Sequence, residues 1–171
     1  MLKILEKYLI IIGIVLFVIL ILFFANYFSK GKRKGREAEK KTYRYLKKIS
    51  KGKKWKIINN AYLPLYNKTC EIDHILIGNF GVCVIETKGI SGTVSGTGEV
   101  LMHTIGSQKH QFYNPQKQNK THKDNVIHHL KKGKFDIPVH SVVVFTADDI
   151  ELKTPVGIYL KDLEKEIYRI G

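Results

Sequence analysis

The sequence contains few cysteines, and this shortage excludes several classes of protein. Only two of the 171 residues are cysteines, Cys70 and Cys83. Two cysteines at this spacing provide neither a disulfide framework nor a cysteine-based metal site. Both lie within apolar, strand-like runs, and we expect them to be reduced thiols that contribute to packing.

Several common functional motifs are also missing. There is no G-x-x-x-x-G-K-[ST] sequence, so the chain lacks the phosphate-binding loop of P-loop nucleotide-binding proteins. Its clustered glycines are better explained by hairpin turns, at Gly89, Gly92, Gly96 and Gly98. The spacing of His122, His128 and His129 is not that of a closed zinc site. The chain contains neither an internal repeat nor a low-complexity tract.

Acidic residues are scarce, which leaves the chain strongly basic. The sequence has 29 Lys and Arg against 15 Asp and Glu, a formal net charge of +14. Residues 30–56 account for most of this excess, with 14 basic and two acidic residues. A second, smaller basic segment covers residues 109–134 and is a candidate for phosphate contacts. The first segment suits anionic lipid beneath a membrane, where each Lys or Arg contributes about 1 kcal/mol.

Charge is absent altogether from Tyr8 to Ser29, a run of 22 mostly apolar residues. About 20 such residues span a bilayer as a helix, and no small-x-small cleavage site follows the run. Because basic residues crowd its carboxyl-terminal side, the positive-inside rule places the rest of the chain in the cytoplasm. We therefore predict a single-pass protein of the cell membrane, with an anchor over 1–29, a basic linker over 30–36 and a cytoplasmic domain over 37–171.

The order of predicted elements in the cytoplasmic part indicates an α/β domain with a mixed sheet flanked by helices. An amphipathic helix is followed by a strand that ends at Pro64 and by two runs joined through "GNFG", which predict an antiparallel hairpin. The glycine-rich segment after Lys88 suggests a second, smaller hairpin. Asn114 and Pro115 then begin a helix that ends near Gly133. The run "VHSVVVFT" predicts a central strand, and a short strand and helix close the chain.

Three charged residues interrupt the apolar runs of the first hairpin. Asp73 lies in its first strand, and Glu86 and Lys88 share one face of its second strand. If the hairpin is symmetric about "GNFG", the three side chains converge at its open end. Two carboxylates there suit Mg²⁺, which would offset the cost of burying charge. The alternative is that Glu86 and Lys88 are ordinary solvent-facing residues and that Asp73 pairs with Lys88.

Four segments together resemble one family of nucleases. They are "GREAEKKTYRYL", "EIDHILIG", "GVCVIETKGISGTVSG" and "NPQKQ", and the strand "VVVFT" follows them. In this order they resemble the nuclease-related domain (NERD), a branch of the PD-(D/E)xK restriction-endonuclease-like superfamily. The resemblance covers roughly residues 35–146. The first segment departs from the family's G-x-x-G-E pattern, because Ala38 replaces the second glycine.

The resemblance implies a catalytic site and its cofactor. It assigns Asp73 and Glu86 as ligands of Mg²⁺ or Mn²⁺, with the Thr87 carbonyl as a third ligand and Lys88 as the catalytic lysine. Glu39 would approach the metal or its water from the first helix. It also implies an αβββαβ core of the restriction-endonuclease type.

The second helix supplies the remaining candidates. Gln118, in its first turn, could reach the substrate or Lys88. Lys117 and Lys120 could contact the nucleic-acid backbone, although a solvated helix face explains them equally well. Asn114 is a further candidate for nucleic-acid contact, and helix capping is its expected main role. His74 should point to the strand face opposite Asp73, where we expect it to be packed or hydrogen-bonded.

The expected function is metal-dependent hydrolysis of nucleic-acid phosphodiester bonds, with DNA as the expected substrate, at the membrane. A homodimer is a further expectation, because nucleases of this fold often work in pairs. Two alternatives remain at this point. One is an inactive module that binds nucleic acid or protein at the membrane. The other is a protein that binds lipid surfaces through its basic segment alone.

Overall fold

The computed structural model describes residues 2–171, with side chains described for residues 12–24 and 31–171. Two compact units are distinguished, one ending at Arg36 and the other spanning Glu37–Gly171. The described residues form a mixed α/β fold with two mixed sheets and four helices. The helices are α1 (Leu2–Ile49), α2 (Pro115–Lys132), a 3₁₀ helix (Leu160–Asp162) and α3 (Leu163–Ile170). The strands are β1 (Lys56–Leu65), β2 (Lys68–Gly78), β3 (Gly81–Lys88), β4 (Gly92–Ser95), β5 (Val100–Ile105), β6 (Gln108–Tyr113), β7 (Val139–Phe145), β8 (Ile150–Lys153) and β9 (Ile158–Tyr159).

The predicted membrane anchor lies partly outside the residues whose side chains are described. Within 12–24 and 31–171, no helix offers an apolar stretch long enough to cross a bilayer. The predicted span from Tyr8 to Ser29 extends beyond both ends of the described part, 12–24.

The larger sheet has the strand order β1-β2-β3-β7-β9 and carries helices on both faces. The first three strands are antiparallel, and β3, β7 and β9 are parallel. One face packs against α1 and α3 through a core that includes Leu46, Leu76, Ile85, Leu163 and Ile167. The other face packs against α2 through Ile75, Val82, Val84 and Val126. Strand β3 is buried along nearly its whole length because helices cover it from both sides.

The hairpin of β2 and β3 confirms the predicted symmetry about "GNFG". Gly78 pairs with Gly81, and the register continues to the pair of His74 and Ile85. Gly81 has a φ of +95°, and a Cβ there would lie 2.3 Å from the Pro138 carbonyl oxygen. Glycine is therefore required at this turn on both conformational and steric grounds. The symmetric register brings the polar ends of the two strands to the same edge.

At the position of Asp73, the side chains of β1 and β2 change from one face of the sheet to the other. Their ladder is continuous on both sides of the pair Asn60 and Asp73 and is interrupted at that pair, where Asn60 has a φ of +48°. Ile57 packs against the core under α1, whereas Ala61, four residues later, packs against the core under α2. In a regular strand these two residues would share a face. Asp73 thus lies at a local twist of the strands and not in the middle of a regular buried ladder.

The second sheet, with the order β6-β5-β4-β8, is larger than the predicted small hairpin. The antiparallel pair β4–β5 is the predicted hairpin, and strands β6 and β8 complete the sheet. Strand β6 reads "QKHQFY" and lacks apolar alternation, because only Phe112 contributes to a core. A strand with so little buried surface gives no period-two signal in the sequence.

The predicted end of β1 at Pro64 was wrong, since the strand continues to Leu65. Strand β1 is at the edge of its sheet and pairs with β2 alone. A proline is tolerated there because an edge strand does not need every backbone N–H for its ladder.

Candidate active site

Glu86 and Lys88 lie at the carboxyl-terminal end of β3, on the sheet face that α2 covers. Glu86 is only 2% exposed. The Lys88 ammonium donates to Glu86 Oε1 at 2.8 Å and to Gln118 Oε1 at 3.1 Å. Lys88 forms its ion pair with Glu86, so the alternative in which Lys88 pairs with Asp73 was wrong. The alternative of solvent-facing residues was also wrong for Glu86, which is buried.

Asp73 extends into the same site from β2. Its carboxylate accepts a hydrogen bond from a backbone N–H of β3 where the hydrogen-bonded ladder of the two strands has ended. The ladder between β2 and β3 ends at His74 and Ile85. The next available backbone N–H of β3, that of Thr87, donates to Asp73 Oδ2 at 2.7 Å. In an extended strand the N–H and C=O of one residue point to the same side. The Thr87 carbonyl therefore points toward the Asp73 side, as its predicted role as a third ligand requires.

The two carboxyl groups lie close enough to affect each other's protonation. Burial, and then the charge of Glu86, raise the pKa of Asp73 to about 7. Burial also raises the pKa of Glu86, against the opposing charge and hydrogen bond of Lys88. Raised carboxyl pKa values are expected where two carboxylates share a desolvated site.

Helix α1 brings Glu39 to the side of this site. Glu39 is half-buried, and its charge is among the causes that raise the pKa of Glu86. One turn further along α1, the Thr42 hydroxyl accepts a hydrogen bond from the Thr87 hydroxyl at 3.2 Å. This buried contact joins α1 to the end of β3, and it holds Glu39 beside the carboxylates.

The beginning of α2 is held by its cap. Asn114 Oδ1 accepts from the backbone N–H of Gln116 at 2.9 Å, and its amide donates to the Gly98 carbonyl at 2.8 Å. The predicted capping role of Asn114 is confirmed. Because Asn114 is only 3% exposed, the structure does not bring it to the surface for the nucleic-acid contact also predicted for it.

Further along α2, Asn119 fastens the helix to the sheet. Its amide nitrogen donates to the carbonyl oxygens of Val84 and Val142 at 3.0 and 2.9 Å. These carbonyls belong to β3 and β7, so one side chain binds two neighbouring strands. The contact fixes the position of Gln118, the neighbouring residue that holds Lys88.

Lys117 and Lys120 lie on the outer face of α2, apart from the carboxylates. Both side chains are exposed, and Lys120 pairs with Asp124 one turn away. This placement fits either a solvated helix face or a surface that meets a phosphate backbone. The structure does not bring either lysine together with Asp73, Glu86 and Lys88.

His74 is buried and hydrogen-bonded, as predicted. Its Nδ1 lies 2.8 Å from Asn59 Oδ1. Burial lowers the pKa of His74 to about 4, and the nearby backbone of Glu39 offsets part of this effect. The imidazole is therefore neutral at physiological pH and joins β2 to β1.

Sequence reasoning missed His122, which reaches the site from α2. Its Nδ1 lies 3.5 Å from Glu86 Oε2. Burial and the charge of Lys88 lower the pKa of His122. The missed signal was the spacing of four residues from Gln118, which places both side chains on one helix face.

The arrangement fits a hard divalent cation. The carboxylates of buried Glu86 and half-buried Asp73 converge with the Thr87 carbonyl, and Glu86 Oε2 has no hydrogen-bond partner among the residues described. Mg²⁺ is commonly held by one or two carboxylates, while water and substrate phosphate supply the remaining ligands. In the part of the chain with described side chains, no group of three or more His, Cys, Asp or Glu side chains is placed to hold a metal. The fit therefore depends on Asp73, Glu86 and the Thr87 carbonyl.

Together, the fold and the site define an α/β protein with a carboxylate–lysine centre at one edge of a mixed sheet. The chain belongs to the nuclease-related domain family, which matches residues 34–146, and with it to the restriction-endonuclease-like superfamily. The resemblance stated from the sequence motifs is thereby confirmed.

The chain is also similar to a protein of Bacillus anthracis that is described as uncharacterized. The two are 36% identical over 93 residues, which cover 53% of this chain and 44% of the relative. The chain thus matches less than half of that relative's length. No solved structure matches the chain significantly.

Proposed function

We propose that the protein is a membrane-anchored, metal-dependent phosphodiesterase that hydrolyses DNA. The observation that carries the proposal is the convergence of buried Glu86 with half-buried Asp73 and Lys88 at one sheet edge in a member of a nuclease-related family. A buried carboxylate next to a second, half-buried carboxylate is costly to stability unless the pair serves binding or chemistry.

The roles of the residues follow from their positions. Asp73, Glu86 and the Thr87 carbonyl would hold Mg²⁺ or Mn²⁺. When bound, this ion lowers the pKa of its water and neutralises charge on the phosphate. Lys88 would orient the attacking water or stabilise negative charge on the phosphate oxygens. Gln118 accepts a hydrogen bond from the Lys88 ammonium at 3.1 Å, and the same ammonium donates to Glu86 at 2.8 Å.

Glu39 would act from the side of the site. Its position on α1, fixed through the contact between Thr42 and Thr87, suits a hydrogen bond to the attacking water. The role of Lys117 and Lys120 would be electrostatic, because exposed lysines on one helix face attract a polyanion without reading its sequence.

The membrane anchor is part of the proposal and depends on the sequence of residues 1–36. The 22 uncharged residues of Tyr8–Ser29 would span the bilayer, and the basic residues after them would lie at anionic lipid on the cytoplasmic side. A nuclease held there would meet DNA at the inner membrane surface. Pairing of two chains on one duplex would allow cleavage of both strands.

The proposal is tested with the full chain in detergent micelles. Mg²⁺ and Mn²⁺ are titrated by calorimetry, and the protein is then incubated with supercoiled, linear and single-stranded DNA and with RNA. We expect metal binding, metal-dependent cleavage of DNA, and loss of cleavage on addition of EDTA. DNA binding without cleavage under any metal condition would contradict the proposal and favour the inactive binding module.

A further inference from the structure

The two oxygens of Glu86 face different partners. Oε1 accepts from the Lys88 ammonium at 2.8 Å, whereas Oε2 lies 3.5 Å from His122 Nδ1. Neither Oε2 nor Nδ1 has a hydrogen-bond partner among the residues described. Glu86 and His122 are only 2% and 8% exposed. Buried polar atoms in proteins nearly always find partners, so these two neighbouring atoms are each other's natural partners.

Helix α2 orders both charged residues of β3 from a single face. Gln118 and His122 are four residues apart and project to the same side of the helix. Gln118 holds Lys88, while His122 faces Glu86. Asn119, between them in sequence, donates to carbonyl oxygens of β3 and β7 and so connects the helix to both strands.

We propose that His122 is a positioning residue for Glu86, whose Nδ1–H donates to Oε2 and keeps Oε1 directed toward Lys88 and the divalent cation. This inference rests on the proposed function, because it concerns the geometry of the metal site. A contact at 3.5 Å is long for a hydrogen bond, and contacts of this kind often shorten when the ligand is bound. The role requires the imidazole tautomer with the proton on Nδ1.

The expected size of the effect comes from groups that hold metal ligands in other proteins. Removing a hydrogen-bond partner of a metal-ligating side chain typically weakens metal affinity by about 10- to 100-fold. A carboxylate released from His122 gains rotational freedom, which must be lost again when the cation binds. Metal affinity is therefore the most direct readout of the positioning role, and it does not require turnover.

The test measures Mn²⁺ affinity of the full chain in detergent by calorimetry. Four proteins are compared: the wild type, His122→Ala, His122→Asn and the control His128→Ala, which changes a histidine elsewhere on the same helix. We expect His122→Ala to weaken binding by about 10- to 100-fold. His122→Asn should restore most of the affinity, because its amide places a donor near the position of Nδ1. His128→Ala should bind as the wild type does.

Two results of this titration would overturn the inference. Unchanged affinity in His122→Ala would show that Glu86 is held without the imidazole. If His122→Asn binds Mn²⁺ as weakly as His122→Ala does, the imidazole would itself be a metal ligand and not a positioning residue. Thermal unfolding of each metal-free variant identifies any that fails to fold, and His122→Leu, which refills the space with an apolar side chain, then replaces His122→Ala.

The failure of the inference can be distinguished from the failure of the proposed function. A wild type that binds neither Mg²⁺ nor Mn²⁺ would contradict the proposed function and, with it, the role of His122 at a metal. The contact itself is then tested in metal-free protein by a double-mutant cycle of Glu86→Gln and His122→Ala, with unfolding temperature as the readout. Non-additive shifts support the contact, and additive shifts overturn it.

Discussion

Lys88 provides the positively charged side chain of the candidate site, and its environment indicates a role in catalysis more than in folding. Its ammonium bridges a buried carboxylate and the Gln118 side chain, and about a quarter of the Lys88 side chain remains exposed to incoming substrate. A group in this position can act on water or phosphate without leaving its partners. The carboxylates would bind the cation, so Lys88 and the metal ligands should be separable by mutation.

We predict that Lys88→Met reduces DNA cleavage by about 100- to 10,000-fold and leaves Mn²⁺ affinity within about threefold of the wild type. The substitution removes the ammonium while it keeps most of the aliphatic chain. Cleavage rates with single-turnover kinetics and calorimetric titration provide the two measurements. Lys153→Met is the control, since Lys153 is an exposed lysine of β8 that pairs with Glu151. Cleavage that survives in Lys88→Met would remove the lysine from the mechanism.

His74 provides a prediction about pH. Its pKa is lowered to about 4 in the folded state, from an ordinary value of 6.5. The unfolded chain therefore takes up a proton at higher pH than the folded chain, and stability is lost as pH falls below 6.5. Between pH 7.5 and pH 5 this residue should reduce the free energy of unfolding by about 2 kcal/mol.

The measurement compares denaturant unfolding of the wild type and His74→Gln at both pH values, without metal. Asp73, whose raised pKa acts in the opposite direction, is present in both proteins, so its effect cancels in the difference. We expect the wild type to lose about 2 kcal/mol more than the variant on acidification. Equal losses in the two proteins would mean that His74 does not titrate as a buried neutral imidazole.

At the scale of elements, the packing of α2 on the larger sheet positions Gln118 and His122 in the site. Gln118 and His122 act on β3 residues, and Asn119 fixes the helix between them through two strand carbonyls. Val126 adds apolar contact further along the helix. The precision of the site therefore depends on a buried amide as much as on apolar packing.

We predict that Asn119→Ala destabilises the fold by about 2–3 kcal/mol, because two hydrogen bonds are lost and a cavity is left. Asn119→Asp should be at least as harmful, since a carboxylate cannot donate to the two carbonyl oxygens. Lys120→Ala, one residue away on the exposed face, should change stability by no more than about 0.5 kcal/mol. Urea unfolding of the three variants tests this. A small effect of Asn119→Ala would mean that apolar contacts alone position the helix.

Sequence patterns predicted those elements whose residues have a strong periodic or turn signal. The "GNFG" hairpin, the central strand and the Asn-Pro start of α2 were predicted because turn, burial and capping preferences agree there. Strand β6 was missed because it is polar and mostly exposed, and it forms only by pairing with β5. The convergence of Asp73 with Glu86 followed from hairpin symmetry, whereas His122 required the contact between a helix and a distant strand.

On the scale of the whole molecule, the unit from Glu37 to Gly171 contains its own cores. Every buried apolar residue among those described lies at Ala38 or beyond. Such a unit should not need residues 1–36 for its stability. The proposed anchor would then determine only where the nuclease-like unit is held.

We predict that deletion of residues 1–36 releases the protein from the membrane fraction and leaves one cooperative unfolding transition near the temperature of the full chain. Cell fractionation measures the first effect and scanning calorimetry in matched detergent measures the second. A truncated protein that stays with membranes would contradict the anchor. One that fails to unfold cooperatively would show that the first helix is part of the fold.

The central claim is that Glu86 at the end of β3 and Asp73 of β2 hold the cation needed for cleavage. The most direct measurement is the DNA cleavage rate of Glu86→Gln in Mg²⁺, beside Glu71→Gln, which changes an exposed glutamate of β2 bonded to Tyr62. We expect Glu86→Gln to lose at least about 100-fold in rate and Glu71→Gln to cleave as the wild type does. Wild-type cleavage by Glu86→Gln would contradict the account.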